Sequence, residues 1–514
     1  RKSERTLPVS SGDPAIEQAK FDAAVVTARE QLSARYEKQA SFQHRGICIE
    51  GADSAENVLD FIQWLPKAGY NSFFLQFKVP YEFLARWYHH LGNPLREPEP
   101  FTVDDAQTMA ARFEQEMARR SLLLHKAGHG WTGEVLGSQT VGSWNAVERA
   151  VAPENLDMAA EVNGKRGFYM GIPTNTNLCF SNPRTMDTFG ELVVRYAKEN
   201  RSVDYLHVWL ADEYNNVCEC EACRQTTVSD QYVELLNEID RRLTAEGLST
   251  KVVFLLYQEL LWPAVKERLR NPDRFVLMFA PITRTFMKSY QQAGEILPVP
   301  EFKVNQITMP VTLEDNLAFL KDWQKKVSCD SFVYDYHLGK AHYGDPGYVR
   351  ISKVLCDDLK ENKNLGLNGI NSCQELRAFL PNALPNYIMG QISMDTELEF
   401  DTVAGDYFAS AYGERGREVL AYLQDISEQY DMDYFISRGE MVNPAMSARF
   451  ERVLDDLEAF APVIGEVLTD PDLPAVQRRF WRELSYHQAY TFYLTQALLA
   501  KSKGQDPTPA YKVF

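Results

Sequence analysis

The sequence predicts an α/β protein built on a (β/α)8 barrel of the TIM type, with an N-terminal helical arm and a helical C-terminal region. Eight short apolar runs alternate with amphipathic helical stretches, as in a parallel α/β fold. The strand pattern stops near residue 400, and helical periodicity continues beyond it. An open, doubly wound sheet is the competing architecture. Eight strand–helix units across about 330 residues favour the closed barrel.

The eight apolar runs are the predicted barrel strands. Each is short and continuous rather than alternating, which is typical of strands that are buried on both faces. They cover residues 46–50, 72–77, 121–125, 205–211, 252–257, 275–280, 331–336 and 367–371. Helical stretches separate them, for example at 55–68 and 230–246. The interval from residue 129 to about residue 203 is too long for a plain loop, so it predicts an extended loop and a further helix.

The flanking regions set the predicted domain boundaries. Residues 1–42 are polar, with a helical pattern over 16–36, which indicates an N-terminal arm or helix. The barrel is expected over residues 43–400. Residues 401–514 are predicted to form a helical C-terminal region, because helical periodicity recurs along them. The periodic stretches are 403–412, 418–430, 444–468 and 475–499.

Length and charge limit the classes of function. A chain of 514 residues suits a barrel with one or two smaller parts. The formal net charge of −17 argues against nucleic acid and anionic membranes as partners, since both need a basic surface. The sequence has no apolar run long enough to predict a membrane span. Residue 1 is Arg, which is not a natural start, so the sequence leaves the compartment open: secreted or periplasmic if a leader has been removed, and otherwise cytoplasmic. The oligomeric state is also open.

The strongest candidate for catalysis is the acid pair Asp212–Glu213, which directly follows the fourth apolar run. In a (β/α)8 barrel the active site lies at the carboxyl ends of the strands. Hydrolysis of a glycosidic bond needs a protonated carboxyl for the leaving oxygen and an anionic partner for the transition state. Neighbouring side chains of a strand point in opposite directions, so one acid can reach the glycosidic oxygen while the other holds an adjacent group. The alternative is that the two acids cap the next helix or pair with Arg224.

Other polar and aromatic residues near the strands are candidate substrate contacts. The predicted substrate-binding residues are Arg45, His129, Trp131, Asn215, Tyr257, Asp335, Tyr336 and Glu375. Three further polar residues follow strands but are assigned no role, namely Glu50, Arg284 and His337. His129 and Trp131 lie in a glycine-rich turn, where a surface turn with a capped histidine is the alternative. Asp335 and Tyr336 lie on opposite faces of one strand, so only one of them can point inward. Glu375 is expected either to bind a hydroxyl group or to cap a helix.

Three cysteines, Cys218, Cys220 and Cys223, crowd together directly after the acid pair. Their spacing is typical of a zinc site, which would need a fourth ligand such as His207, His129 or a more distant cysteine. The alternative is a loop braced by a disulfide or by buried thiols. A structural zinc ion that braces the catalytic loop is the favoured interpretation, and catalysis itself is expected to need no cofactor. The other five cysteines are expected to be buried thiols.

Five segments of the sequence resemble glycoside hydrolase family 163. They are His44-Arg45-Gly46, the stretch from Trp64 to Asn71, Gly128-His129-Gly130-Trp131-Thr132, the stretch from Asp212 to Cys223, and the stretch from Gln374 to Pro381. The resemblance spans about residues 40–415, and the cysteine-rich loop is its most distinctive part. It implies an endo-β-N-acetylglucosaminidase that cleaves the chitobiose core of complex N-glycans.

The strand positions of several residues are also similar to those of family 20 hexosaminidases. This resemblance implies that Arg45 binds hydroxyl groups of the −1 sugar and that Asp212 orients the acetamido group. It further implies that Glu213 is the general acid and base. The alternatives to Asp212 in its role are Glu259, Asp335 and Glu375.

The expected function is therefore retaining, substrate-assisted hydrolysis of a β-linked N-acetylglucosaminide in a glycan or glycoprotein. One group of alternatives is an exo-acting β-hexosaminidase, or a glycosidase with two catalytic carboxylates in which Asp335 or Glu375 is the nucleophile or base. The carboxyl separation distinguishes retaining from inverting pairs, at about 5 Å against about 6.5–9.5 Å. A non-catalytic glycan-binding barrel and a zinc-dependent hydrolase are alternatives from other classes.

Overall fold

The computed structural model describes residues 38–138, 142–375 and 380–512. Contacts between Cα atoms divide the chain into two units, Arg1–Ala40 and Ser41–Phe514. The second unit contains every helix and strand given below. The N-terminal arm predicted over residues 1–42 lies outside the described residues, apart from its last few positions.

Eight parallel strands form a closed barrel in the second unit. They are β1 His44–Ile49, β2 Ser72–Gln76, β3 Leu123–Gly128, β6 Tyr205–Val208, β7 Lys251–Leu256, β8 Phe275–Phe279, β9 Asp330–Leu338 and β10 Gly369–Gln374, with a separate hairpin of β4 Glu161–Val162 and β5 Lys165–Arg166. Around the barrel their order is β1, β10, β9, β8, β7, β6, β3, β2. Each predicted apolar run overlaps one barrel strand, so the (β/α)8 prediction is confirmed.

Alternate side chains of the strands fill the interior of the barrel. Phe74, Trp209, Phe332 and Tyr334 pack there with smaller apolar residues. The side chains between them face the surrounding helices and belong to the main hydrophobic core. Because successive residues of a strand face opposite ways, Tyr334 inside the barrel requires Asp335 to point outward.

Helices surround the barrel and continue beyond it. They are α1 Ala55–Ala68, α2 Tyr81–Tyr88, α3 Val103–Arg119, α4 Trp131–Val135, α5 Pro183–Glu199, α6 Val228–Ala245, α7 Leu313–Gln324, α8 Val349–Asn362, α9 Leu384–Met394, α10 Phe400–Tyr412, α11 Gly416–Gln429, α12 Met432–Phe435, α13 Pro444–Thr469, α14 Ala475–Ser502 and α15 Thr508–Tyr511. Several begin at a side chain that caps the free N–H groups of the first turn, as Ser54 does for α1 and Thr102 for α3. None of the described helices is long and apolar enough to cross a membrane.

The connection between β3 and β6 is the longest insertion at the carboxyl ends of the strands. It holds α4, the β4–β5 hairpin and three 3-10 turns before α5. We call residues 129–182 the β3 loop. Its Thr174 accepts a hydrogen bond at its carbonyl from the Asp212 backbone N–H (3.0 Å) and donates from its hydroxyl to the Ser143 carbonyl (2.6 Å). The β3 loop is therefore tied to the segment that carries the acid pair.

The region after residue 400 is helical and packs in the same unit as the barrel. His487 on α14 contacts the Pro346 carbonyl through Nε2 (2.7 Å). Thr285, after β8, donates its hydroxyl to Asp433 on α12 (2.6 Å). The C-terminal helices thus contact the loops after β8 and β9.

Candidate active site

Asp212 lies after β6, and three side chains surround its carboxyl group. The Trp144 indole N–H donates to Oδ2 (2.6 Å), and His129 Nε2 is 3.4 Å from Oδ1. The Tyr257 phenol lies close enough to this carboxyl group to experience its charge. His129 Nδ1 is 2.9 Å from the Leu210 carbonyl, which can only accept, so Nδ1 carries a proton. Nε2 can therefore donate to Asp212 only when the imidazole ring is protonated.

Tyr257, at the end of β7, keeps its phenol proton. Burial raises the pKa of Tyr257 well above its ordinary value, and the negative charges of Asp212 and Glu50 raise it further. A neutral phenol can donate to a carboxylate or to a substrate hydroxyl. Tyr257 and His129 both lie near Asp212, and their rings are 6.5 Å apart.

Glu213 has a second carboxyl group, Glu259, as its neighbour. Glu259 follows β7, is buried, and accepts the Asn215 backbone N–H at Oε1 (2.5 Å). Burial raises the pKa of Glu259 to about 7; the Asn215 hydrogen bond opposes this shift and the charge of Glu213 adds to it. Glu213 is partly exposed and accepts the Tyr214 backbone N–H (3.0 Å). The acid pair is thus accompanied by a group that takes up a proton near neutral pH.

Glu50 brings a further carboxyl group to the mouth of the barrel. The Tyr334 hydroxyl donates to its Oε1 (2.5 Å) from inside the barrel. Burial raises the pKa of Glu50, the Tyr334 hydrogen bond opposes the shift, and the charge of Asp212 adds to it. Glu50 was only one of many strand-end residues in the sequence, and its partner is 284 positions away.

The mouth of the barrel is an acidic site, where Arg86 donates to the backbone carbonyl of Glu50 (3.1 Å) and forms its ion pair with Glu82. Within residues 38–138, 142–375 and 380–512, no lysine or arginine forms an ion pair with Glu50, Asp212, Glu213 or Glu259. Carboxylates without a permanent counter-ion can stabilise positive charge that develops on a substrate. Such charge appears at the anomeric carbon during glycoside hydrolysis.

Asp335 is not part of this site, which corrects the prediction. It points out of the barrel, where Arg284 donates to both of its oxygens at 3.3 and 3.0 Å. The same guanidinium donates to Asp358 on α8 (2.5 Å), and His337 Nε2 is 2.8 Å from Asp358. Burial alone would raise the pKa of Asp335, but the charges of Arg284 and His337 hold it below its ordinary value. The Arg284 side chain occupies the centre of this buried cluster, so the acids there are structural.

Arg45 and Trp131 are also predicted substrate contacts that the structure places elsewhere. Arg45 is the second residue of β1, at the amino end of the barrel, and its Nε donates to the Gly69 carbonyl (2.7 Å). Trp131 is buried outside the barrel, where its indole stacks on Phe189 and donates to the His207 carbonyl (3.0 Å). Neither side chain reaches the acidic site, because strand direction and helix packing turn them away from it.

Asn215 lies beside the acid pair but has a structural function instead of the predicted substrate contact. Its side chain accepts from the Ile307 backbone N–H (2.9 Å) and donates to the Ile307 carbonyl (3.3 Å). Asn305 makes the same paired contact with the Val217 backbone, at 2.9 and 3.0 Å. These amides join the loop after β6 to the loop after β8.

The two remaining predicted contacts lie at the carboxyl ends of β9 and β10. Tyr336 packs at the barrel mouth, with its ring edge-on to Tyr334 at 5.3 Å. Burial raises the pKa of Tyr336 well above its ordinary value, and the neighbouring charges include Glu50 and Asp212. Glu375 is partly exposed and accepts a hydrogen bond from the Tyr343 hydroxyl. The residues that follow it, 376–379, lie outside the described chain.

Two aromatic residues of the site come from the β3 loop and were missed in the sequence. Trp144 contacts Asp212 as described, and Tyr169 lies close enough to Glu213 and Glu259 to experience their charge. Burial raises the pKa of Tyr169, and those two charges add to the shift. The length of the loop was the available signal, because long loops at the carboxyl ends of barrel strands commonly carry function.

The fourth member of the cysteine group is another cysteine and neither of the two histidines that were suggested as a fourth ligand. Cys179 of the β3 loop joins Cys218, Cys220 and Cys223, and the four sulfur atoms lie within 4.8 Å of one another. His207 is buried inside the barrel beside His125, and His129 faces Asp212. Among the three suggested fourth ligands, a more distant cysteine is therefore the one that lies beside the three thiols.

Comparison with known proteins gives a family and a shared fold. The family model described as "Domain of unknown function (DUF4838)" matches residues 152–424, just over half of the chain. No curated protein matches the sequence.

Solved structures of glycoside hydrolases are similar in fold. A GH138 enzyme targeting pectin rhamnogalacturonan II has 10% identity and a TM-score of 0.50 over 93% of this chain and 61% of that chain. The Thermobaculum terrenum O-GlcNAc hydrolase has 12% identity and a TM-score of 0.44 over 92% and 88%. The GH20 β-N-acetylhexosaminidase of Streptomyces coelicolor has 11% identity and a TM-score of 0.38 over 74% and 70%. At these identities the likeness concerns the barrel fold.

Proposed function

The chain belongs to the DUF4838 family, and from this premise we propose that it is a glycoside hydrolase. The observation that carries the proposal is the group of four carboxyl residues at the barrel mouth, Glu50, Asp212, Glu213 and Glu259. They occupy the face where (β/α)8 enzymes have their active sites, and aromatic side chains that can contact a sugar surround them. The chemistry fits because glycosidic bonds are cleaved by pairs of carboxyl groups in different protonation states.

Glu213 is proposed as the general acid and base. It is partly exposed, so it can reach the glycosidic oxygen of a bound substrate. In the first step its proton passes to the leaving oxygen as the bond to the anomeric carbon breaks. In the second step the same carboxylate takes a proton from the water that attacks this carbon.

Asp212 is proposed to hold the 2-acetamido group of the −1 sugar. Its carboxylate is fixed by the indole of Trp144 and faces His129, so it is positioned before the substrate arrives. It would accept the acetamide N–H and stabilise the positive charge of a cyclic oxazolinium intermediate. The acetamide oxygen would form a bond to the anomeric carbon as the leaving oxygen departs, and the attacking water would break that bond in the second step. No protein nucleophile is then needed, and the two displacements retain the configuration.

The proposed substrate is a complex N-glycan, cleaved within its chitobiose core. This specificity rests on the segments that resemble glycoside hydrolase family 163, above all the stretch from Asp212 to Cys223. The β3 loop and the loop after β8 border the acid pair, so they are placed to contact sugars on either side of the cleaved bond. An exo-acting β-hexosaminidase would use the same two acids on a terminal sugar.

A glycosidase with two catalytic carboxylates is the second candidate. Asp335 cannot be its nucleophile, because Arg284 binds both of its oxygens. Glu50 is the better partner for Glu213, since it lies at the mouth and is held by Tyr334. Glu50→Gln would then abolish hydrolysis, whereas the substrate-assisted mechanism predicts that much of the activity remains.

The test is incubation of the protein with a complex biantennary N-glycopeptide, followed by mass spectrometry of the products. Endo cleavage releases a glycan ending in one N-acetylglucosamine and leaves one on the peptide. We expect Glu213→Gln to abolish this release and the exposed control Glu234→Gln to keep it. Stepwise loss of terminal N-acetylglucosamine would favour the exo enzyme instead. If the protein binds the glycopeptide but cleaves neither it nor simple aryl β-N-acetylglucosaminides, the proposal of a hydrolase is refuted. A glycan-binding protein is then the remaining alternative.

A further inference from the structure

Four cysteines from two loops of the barrel converge on one point. Cys179 belongs to the β3 loop, and Cys218, Cys220 and Cys223 follow the acid pair. The sulfur of Cys179 is 3.7 Å from that of Cys220 and 3.9 Å from that of Cys223. Cys220 is half-buried and the other three are buried. The four thiols are outside the proposed catalytic machinery, which does not use them.

These spacings match the edges of a zinc tetrathiolate. Zinc–sulfur bonds of about 2.3 Å in a tetrahedron place neighbouring sulfur atoms about 3.8 Å apart. A disulfide would need about 2.05 Å, and none of the cysteines in the described chain forms one. An iron–sulfur cluster would spread its ligands further, since they bind different iron atoms. We propose that Cys179, Cys218, Cys220 and Cys223 bind one structural zinc ion.

The surroundings of the four sulfur atoms suit thiolates. The Glu161 backbone N–H donates to Cys218 Sγ (3.3 Å), and the Ser181 hydroxyl lies 3.2 Å from Cys223 Sγ and 3.3 Å from Cys179 Sγ. Arg166 of the β4–β5 hairpin lies close enough to Cys179 and Cys218 for its guanidinium to interact electrostatically with their sulfur atoms. Four thiolates and one Zn²⁺ carry a net charge of −2, and these donors and the guanidinium offset it. Binding releases the protons of the four thiols.

The ion would join the two loops that supply the acidic site. The β3 loop carries Trp144, and the loop after β6 carries Asp212 and Glu213, which stand only a few residues before Cys218. Four bonds at one centre restrict both loops at once, so the distance from Trp144 to Asp212 depends on the ion. All four positions are protein thiolates, which leaves no place for a water molecule and makes the site structural. The inference does not rest on the proposed function.

The experiment is metal analysis of the purified protein. We expect about one zinc per chain in the wild type, a small fraction of that in Cys220→Ser and Cys179→Ser, and the wild-type amount in the control Cys329→Ser. Cys220 is the least buried of the four, so its variant is the one best able to fold. Removal of zinc by a chelator should lower the melting temperature of the wild type by several degrees, and added zinc should restore it.

Cobalt provides a second measurement that needs no variant. Co²⁺ added to the zinc-stripped wild type should give the intense sulfur-to-cobalt charge-transfer bands and visible bands of a tetrahedral tetrathiolate. Less than a tenth of an equivalent of zinc after supplementation, with no cobalt bands, overturns the proposal. So does one equivalent of iron in place of zinc, or equal zinc in Cys220→Ser and the wild type. None of these outcomes depends on glycosidase activity, so failure of the zinc site and failure of the proposed function are distinguishable.

Discussion

Two groups of acids at the strand ends look alike in the sequence and differ in the structure. Asp212 and Glu213 follow β6, while Asp335 stands near the end of β9. Around Asp335, a buried arginine binds the acid and its neighbour Asp358. Around Asp212, the partners are an indole, a phenol and an imidazole. Arg284 binds both acids of the first group, whereas no described lysine or arginine forms an ion pair with the acids of the second group.

This difference shows which feature separates a structural acid from a functional one. A carboxylate that is bound on both oxygens by arginine has little capacity left for a substrate. A carboxylate that is oriented by an indole N–H, and that no arginine binds, keeps oxygen lone pairs available for a substrate. The identity of the partner, more than the burial of the acid, decides the function.

The largest expected effect is on catalysis and separates the two groups directly. Glu213→Gln should lower kcat by about 10²–10⁴-fold, which is the usual contribution of a general acid, and leave the melting temperature within a few degrees. Asp335→Asn should lower the melting temperature and leave kcat per folded molecule within about threefold. Steady-state kinetics on an aryl β-N-acetylglucosaminide and thermal unfolding of both variants provide the measurements. An equal loss of kcat in the two variants would remove the distinction.

The second effect is on stability and concerns the arginine. Arg284→Met should lower the free energy of unfolding by about 3–5 kcal/mol, because Asp335 and Asp358 would stay buried without their counter-ion. Denaturant unfolding at neutral pH measures it, with the exposed Arg482→Met as control. The variant should regain stability in acid, where both carboxyl groups take up protons. An unchanged unfolding midpoint would contradict the structural assignment of this cluster.

The third effect is a pH dependence that comes from Glu259. Its pKa is raised to about 7 in the folded protein, so the folded state binds more protons than the unfolded state between about pH 4 and pH 7. Stability that the neutral form provides is therefore lost as the pH rises through this window. Relative to Glu259→Gln, the wild type should lose on the order of 3 kcal/mol between pH 4 and pH 7 and nothing further above it. Parallel pH curves for the two proteins would show that Glu259 has an ordinary pKa.

The smallest effect tests the indole that donates to Asp212. Trp144→Phe keeps a ring but removes the N–H that donates to the carboxylate. A hydrogen bond to a charged group contributes about 1.5–3 kcal/mol, so kcat/KM should fall about ten- to a hundredfold. The exposed Trp87→Phe should have no effect on kcat/KM. If Trp144→Phe matched its control, Asp212 would not depend on the β3 loop.

The barrel could be predicted from the sequence because each strand is a local signal. Every apolar run is a few residues long, and the run that contains Tyr205–Val208 leads directly to Asp212 and Glu213. Partners could not be predicted in the same way. Arg284 is 51 positions from Asp335, and Trp144 is 68 positions from Asp212. The same limit applies to Cys179, which is 44 positions from Cys223.

Two of the predicted substrate contacts, Arg45 and Asp335, lie away from the acidic site for different physical reasons. Arg45 belongs to a barrel strand, but it lies at the amino end of that strand. The sequence could not show this, because strand boundaries predicted from an apolar run are uncertain by a few residues. Asp335 and Tyr336 alternate across the sheet, and the sequence does not say which side faces inward. Packing of Tyr334 and Phe332 inside the barrel decides this in favour of the tyrosines.

The sequence by itself determined the alternation of strands and helices, the acid pair at the end of the fourth strand, and three of the four clustered cysteines. These features depend on residues that are neighbours along the chain. The tertiary structure alone decided that Asp335 is bound by Arg284, that Trp144 is a partner of Asp212, and that Cys179 completes the sulfur cluster. The reason is that hydrogen bonds, ion pairs and metal sites require atoms within a few ångströms, and only closure of the barrel brings these distant segments together.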